Sequence, residues 1–97
     1  HWLLKDLPAG YRKVEQMARK VRGKDFPVTH VILSDGLASV SLFIEPLAKG
    51  AKAKTGASSV GNTNFYSRVA GFLQVTTVGE VPEATAASIA NAVVFVK

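Results

Sequence analysis

The feature that most constrains this chain is the Asp35-Gly36 pair inside residues 30 to 45, His-Val-Ile-Leu-Ser-Asp-Gly-Leu-Ala-Ser-Val-Ser-Leu-Phe-Ile-Glu. An Asp-Gly dipeptide between two β-rich runs signals a hairpin, because a type I′ turn needs positive φ at both central residues. With these two residues as the loop, Leu33 faces Ala38, Val31 faces Val40, and His30 faces Ser41. Strand side chains alternate with period two, so Val31, Leu33, Ala38, Val40, Leu42 and Ile44 share one face, the expected core. The other face carries His30, Ile32, Ser34, Leu37, Ser39, Ser41, Phe43 and Glu45. That mixture is too polar to be sealed in a core and too apolar to be bare surface, so a contact is expected there.

A chain of 97 residues makes one domain, residues 1 to 97, in which a single sheet with one covering element is the economical arrangement. Trp2, Leu3 and Leu4 read as a short strand, and Leu7-Pro8-Ala9-Gly10 as a turn. Residues 11 to 22 are ambiguous: Tyr11, Val14, Met17, Ala18 and Val21 recur at helical spacing, while period two fits less well. Residues 23 to 27 break the run. Residues 46 to 63, rich in Gly, Lys and small side chains, read as a long loop. Residues 65 to 69 and 72 to 78 form a second strand pair around Ala70-Gly71. Pro82 suits a first helical position, and Ala86, Ile89, Ala90 and Val93 form one apolar stripe on a helix over residues 84 to 93.

The absence of Cys removes disulfides, thiolate nucleophiles and Cys-based metal sites. Two His residues carry no metal-ligand spacing, and no cofactor is expected. No apolar run reaches the roughly 18 to 20 residues that span a bilayer. The chain begins with His1 rather than Met, as a processed or excised piece of a longer protein would. Twelve Lys and Arg against seven Asp and Glu give a net charge of +5, with basic residues crowded into the first quarter and at Lys49, Lys52 and Lys54. Such patches suit anionic partners, or serve as solvated edges that deter strand pairing.

Chemistry is poorly supported. Ser41 opposite His30 evokes an activated nucleophile, but Ser41 lies mid-strand without a strained elbow or oxyanion donors. The stretch from Gly56 to Thr63 approaches a phosphate-cradling loop, yet Asn62 stands where that motif needs Lys. Basic residues interleave with Tyr11, Phe26, Phe65 and Tyr66, but no groove-reading motif accompanies them, and nucleic acid is not expected as a partner. The chain does not read as an enzyme.

Several segments, taken in order, resemble the C-terminal domain of the MucB/RseB family: Trp2, then Leu7-Pro8-Ala9-Gly10-Tyr11, Ser34-Asp35-Gly36-Leu37, Ser41-Leu42-Phe43-Ile44-Glu45, Gly56-Ala57, and Val78-Gly79-Glu80-Val81-Pro82 with Ile89-Ala90. Tyr11 stands where the family usually has Phe, and residues 47 to 63 match least. The resemblance implies an α+β fold, a single antiparallel sheet of about six strands with a C-terminal helix on one face, and a strand at residues 11 to 22. It also implies a periplasmic negative regulator of an envelope-stress sigma factor. Such a regulator pairs with an N-terminal lipid-binding domain, binds the periplasmic region of a membrane anti-sigma factor and shields it from proteolysis, and is released by lipid or lipopolysaccharide. Arg12, Arg19, Arg22, His30, Ile32, Leu37 and Phe43 are the expected partner contacts, since aromatic and Arg side chains are common interface anchors. The alternative is an anionic lipid or lipopolysaccharide module using Lys49, Lys52 and Lys54. Self-association stays open.

Overall fold

The computed structural model describes residues 1–20, 22–23 and 26–97. Among these residues the strands are β1 (Trp2–Leu4), β2 (Arg12–Arg19), β3 (Val28–Ser34), β4 (Ser39–Pro46), β5 (Gly56–Val60), β6 (Thr63–Ala70), β7 (Leu73–Gly79) and β8 (Val93–Phe95), with a helix, α1 (Glu83–Asn91), between β7 and β8. Among the described residues the main sheet is antiparallel with strand order β2-β3-β4-β7-β6-β5. The expected α+β architecture is present, with one addition: β1 and β8 pair as a separate two-stranded ribbon.

The ambiguous stretch at residues 11 to 22 is a strand over Arg12–Arg19, against its helical spacing. Pairing with β3 overrides local periodicity here, because β3 offers a full ladder of partners from Val28 to Ser34. Val21, which belonged to the same expectation, lies outside the described residues, as do Lys24 and Asp25 of the break that follows.

The central hairpin keeps its faces but changes its partners. Ser34 pairs with Ser39, Leu33 with Val40, Val31 with Leu42, and His30 with Phe43, so the loop is four residues long and the register differs by two from the Asp-Gly expectation. The cause is the Asp35 carboxylate. Its Oδ1 accepts the amides of Leu37 at 2.9 Å and Ala38 at 2.8 Å, and Ser34 Oγ donates to the Ala38 carbonyl at 2.8 Å. An Asx-type turn of this kind widens the loop, and only Gly36, at φ +97°, is left-handed in it. A slip of two residues preserves side-chain parity, so Val31, Leu33, Val40 and Leu42 are fully buried and Ile44 nearly so.

The second hairpin turns at Gly71-Phe72, one residue later than expected. Gly71 has φ +61°, and glycine at the first loop position with an ordinary φ at the second is the type II′ pattern. A Cβ on Gly71 would also overlap the Phe95 ring. Residues 46 to 63 are not all loop: Gly56–Val60 forms an edge strand against β6. The polypeptide reaches that edge by crossing β7 and β6, and the Gln74 side chain fastens it, accepting from Lys54 N at 2.8 Å and donating to Lys54 O at 2.9 Å.

The helix begins at Glu83, one residue after the expected first position, and ends before Val93, which enters β8. Pro82 is its N-cap rather than its first helical residue, and the Pro82 carbonyl accepts from Thr85 and Ala86. Ala86, Ile89 and Ala90 are buried against β6 and β7. Thr77 Oγ1 donates to the Ala86 carbonyl at 2.9 Å, and Arg68 Nη1 donates to the carbonyls of Ala90 at 3.0 Å and Val93 at 2.8 Å. A cation thus meets the negative end of a helix whose own last turn has no basic residue. Trp2, Leu4 and Phe95 of the ribbon complete the cover over the same face.

Candidate functional site

The helix and ribbon leave the opposite face of the main sheet open, and cross-strand pairing defines what it presents. Met17 pairs with His30, His30 with Phe43, Phe43 with Thr76, and Thr76 with Ser67. A parallel row runs Glu15, Ile32, Ser41, Val78 and Phe65. Most of these side chains are half-buried in the isolated domain.

At the centre His30 stacks on Phe43, with ring centroids 4.5 Å apart and planes inclined by 20°. His30 Nε2 lies 3.0 Å from Ser41 Oγ, a diagonal contact rather than the direct cross-strand pair expected from a two-residue loop. Its Nδ1 is buried without a hydrogen-bond partner among the described residues. Burial lowers the His30 pKa, the Arg19 guanidinium lowers it further, and Glu15 opposes both. The imidazole is therefore favoured neutral, with one ring nitrogen engaged and one unsatisfied. A buried unsatisfied polar atom costs roughly 1 to 3 kcal/mol, so a donor or acceptor brought by a partner would gain from meeting it.

The His30-Ser41 contact does not make a nucleophile. Among the described residues no carboxylate orients Nδ1, and Ser41 sits in a strand paired on both sides, so its neighbouring amides serve the ladder rather than an oxyanion. Among the described residues no group of three or more His, Asp or Glu is placed to hold a metal ion.

Arg12 and Arg19 join this face by an irregularity. They are seven positions apart, a spacing that regular alternation would send to opposite sides. A bulge between Lys13 and Glu15 inserts Val14 and resets the parity, so Arg12 pairs with Ser34 and Arg19 with Val28, both on the open face. Arg19 Nε and Nη2 lie 3.4 and 3.3 Å from Met17 Sδ. Lys13 and Gln16 are left on the other side, joined by a 2.9 Å hydrogen bond.

Of the expected partner contacts, then, Arg12, Arg19, His30, Ile32 and Phe43 come together. Leu37 stands at the tip of the central loop, 97% exposed, and Arg22 lies in the turn after β2. Met17, Phe65 and Val78 share this face without having been expected on it, because their placement depends on register against β3, β4 and β7. A cleft of about 240 Å³ adjoins this face, floored by Glu45, Gln74 and Thr76 and walled by Phe26, Leu47, Lys52 and Lys54. Lys49 stays outside its lining, in the turn closed by Ala51 N and Ala48 O.

Comparison with known proteins agrees with this architecture. The family described as MucB/RseB C-terminal domain matches residues 1–94. The chain belongs to the MucB/RseB C-terminal domain family. A curated relative, the sigma factor AlgU regulatory protein MucB of Pseudomonas aeruginosa, is 37% identical over 93 residues, covering 92% of this chain and 29% of the relative. The structure of the Pseudomonas aeruginosa MucA/MucB complex aligns with TM-score 0.80 at 34% identity, over 95% of this chain and 34% of the matched one. MucB in complex with MucA(peri) gives 0.80 and 34%, over 95% and 35%. A crystal structure of MucB gives 0.65 and 29%, over 95% and 32%. This MucB/RseB C-terminal domain therefore spans about a third of the length of the relatives it matches.

Proposed function

We propose that this domain is part of a periplasmic negative regulator of envelope-stress sigma factor signalling. It binds the periplasmic region of a membrane anti-sigma factor and shields it from proteolysis, alongside an N-terminal lipid-binding domain of the same protein. The carrying observation is the open face: a stacked His30-Phe43 pair with an unsatisfied buried Nδ1, beside Ile32 and flanked by Arg12 and Arg19. Buried aromatics with adjacent Arg are the usual anchors of protein interfaces. Solved relatives in which MucB is complexed with MucA support the partner class. The mechanism is occlusion, without covalent chemistry: an anti-sigma segment laid on this face is withheld from a protease while bound.

Calorimetric titration with the periplasmic segment of the anti-sigma factor from the same source tests this reading. Saturable binding that persists in moderate salt, and that Phe43→Ala weakens by about tenfold or more, is the expected result. Absence of binding, or a Phe43→Ala variant that binds like the parent, would refute it.

A further inference from the structure

The two edges of the main sheet are protected unequally. β2 carries Arg12, Lys13, Glu15 and Arg19 together with the bulge at Lys13/Glu15, devices that deter a further strand from pairing. β5 has neither. Its sequence is Gly-Ala-Ser-Ser-Val, uncharged and free of Pro, and all five residues are exposed. Among the described residues it is bonded to β6 alone.

The backbone of this edge is aimed. Val60 faces Thr63 across the two-residue loop Gly61-Asn62, and Gly61 at φ +60° marks a type II′ turn. Residues flanking such a loop exchange both backbone bonds, and the pattern alternates along the strand. Gly56, Ser58 and Val60 therefore direct their main-chain groups to β6, while the N–H and C=O of Ala57 and Ser59 point away from the sheet. Main-chain edges of this kind accept extended peptides by strand addition.

The charge around the edge has one sign. Residues 46 to 79 contain no Asp or Glu, but include Lys49, Lys52, Lys54 and Arg68. Arg68 is committed to the helix end, which leaves three exposed lysines in the crossing that leads into β5. Gln74 holds the Lys54 backbone two residues ahead of the strand, so this basic stretch has a fixed exit onto the edge. A second copy of the chain would bring the same lysines and another net charge of +5, which disfavours self-pairing.

We propose that β5 is a docking edge for an extended acidic segment of a partner polypeptide. The segment adds outside Gly56–Val60 as a seventh strand, bonded to the main chain of Ala57 and Ser59, with its carboxylates toward Lys49, Lys52 and Lys54. The strand edge itself lies apart from the His30-Phe43 pair, although Lys52 and Lys54 also wall the cleft beside the open face, so protection read at Ala57 and Ser59 distinguishes this proposal from binding of an anti-sigma factor on that face.

The test is amide hydrogen exchange by NMR on the protein, titrated with a short synthetic peptide that alternates Glu with Thr and Val, and with its Lys-for-Glu counterpart. The Glu peptide is expected to slow exchange at Ala57 and Ser59, and the Lys peptide to leave both unchanged. Ser59→Pro removes an outward donor at a position where an edge strand tolerates proline, and is expected to abolish the protection. Lys49→Ala, Lys52→Ala and Lys54→Ala combined lie outside the strand and are expected to weaken peptide binding by about tenfold or more at low salt. Equal binding of the two peptides, or protection confined to the His30-Phe43 face, would overturn the proposal. So would protection of Ala57 and Ser59 that grows with protein concentration in the absence of peptide, or lysine-dependent binding to anionic vesicles with no binding of the Glu peptide.

Discussion

Leu42 and Phe43 are neighbours in β4, yet they serve opposite ends. Leu42 is fully buried beneath the helix and ribbon, whereas Phe43 is half-buried on the open face against His30. The same alternation separates Val31 from His30 and Leu33 from Ile32 across the hairpin. One face is closed, apolar and devoted to holding the fold. The other combines aromatic area, two guanidinium groups and, among the described residues, an unsatisfied ring nitrogen, the composition on which the proposed function rests.

Substitution at the two adjacent positions separates the faces most directly. Leu42→Ala is expected to cost about 2 to 5 kcal/mol of unfolding free energy, through lost transfer and a cavity that the sheet cannot close. Phe43→Ala loses the ring stacking, worth about 1 kcal/mol beyond area burial, together with only part of a full burial term, and is expected to cost less than Leu42→Ala while weakening partner binding far more. Equal destabilisation by the two variants, measured by urea unfolding, would mean that both faces are core.

Arg68→Ala sharpens the closed side. Removing the guanidinium leaves the carbonyls of Ala90 and Val93 without their charged donor, at an expected cost of about 2 kcal/mol. Faster amide exchange at the end of α1 should accompany the loss, with partial recovery in Arg68→Lys. Unchanged exchange there would mean that Arg68 does not secure the helix end.

The smallest effect concerns pH, and it belongs to the open face. The folded His30 pKa lies below its ordinary value of 6.5, so the unfolded chain binds the proton more readily. Stability from this group is complete above pH 6.5 and is lost as pH falls through the lower folded value. The thermal midpoint should drop modestly between neutral pH and pH 5, and His30→Gln should flatten that slope. A parent whose midpoint rises over this window would contradict the sign. Asp35 acts in a separate, more acidic window: the amides of Ala38 and Leu37 hold its carboxyl below the ordinary 3.8, so its contribution vanishes only as pH falls through that lower value.

Much of the closed face was legible in the chain. Val31, Leu33, Val40, Leu42 and Ile44 followed from period two alone, and a register change of two residues could not disturb them, because parity survives it. The stripe Ala86, Ile89, Ala90 and Val93 was equally legible and is buried, although Val93 belongs to β8 rather than to the helix. The open face was legible only in part. His30, Ile32 and Phe43 followed from the same alternation, but Arg12 and Arg19 share a side only because of the bulge at Val14, which no local pattern announces. The edge strand β5 was hidden in a run of small residues with little intrinsic β preference, and it exists because β6 gives it partners and Gln74 anchors Lys54 just ahead of it.

The sequence by itself determined which side chains of the central hairpin face the core, where the helix lies, and the kinship with MucB/RseB C-terminal domains. These rest on alternation, helical spacing and ordered motifs, all carried along the covalent chain. Tertiary structure alone decided the pairing of His30 with Phe43, the second ribbon of β1 and β8, the crossing that makes β5 an edge, and the side taken by the arginines. Each of those depends on hydrogen bonds closed between residues distant in sequence, such as Lys54 with Gln74, or on loop chemistry such as the Asp35 carboxylate, and such contacts acquire their energy only once the sheet is assembled.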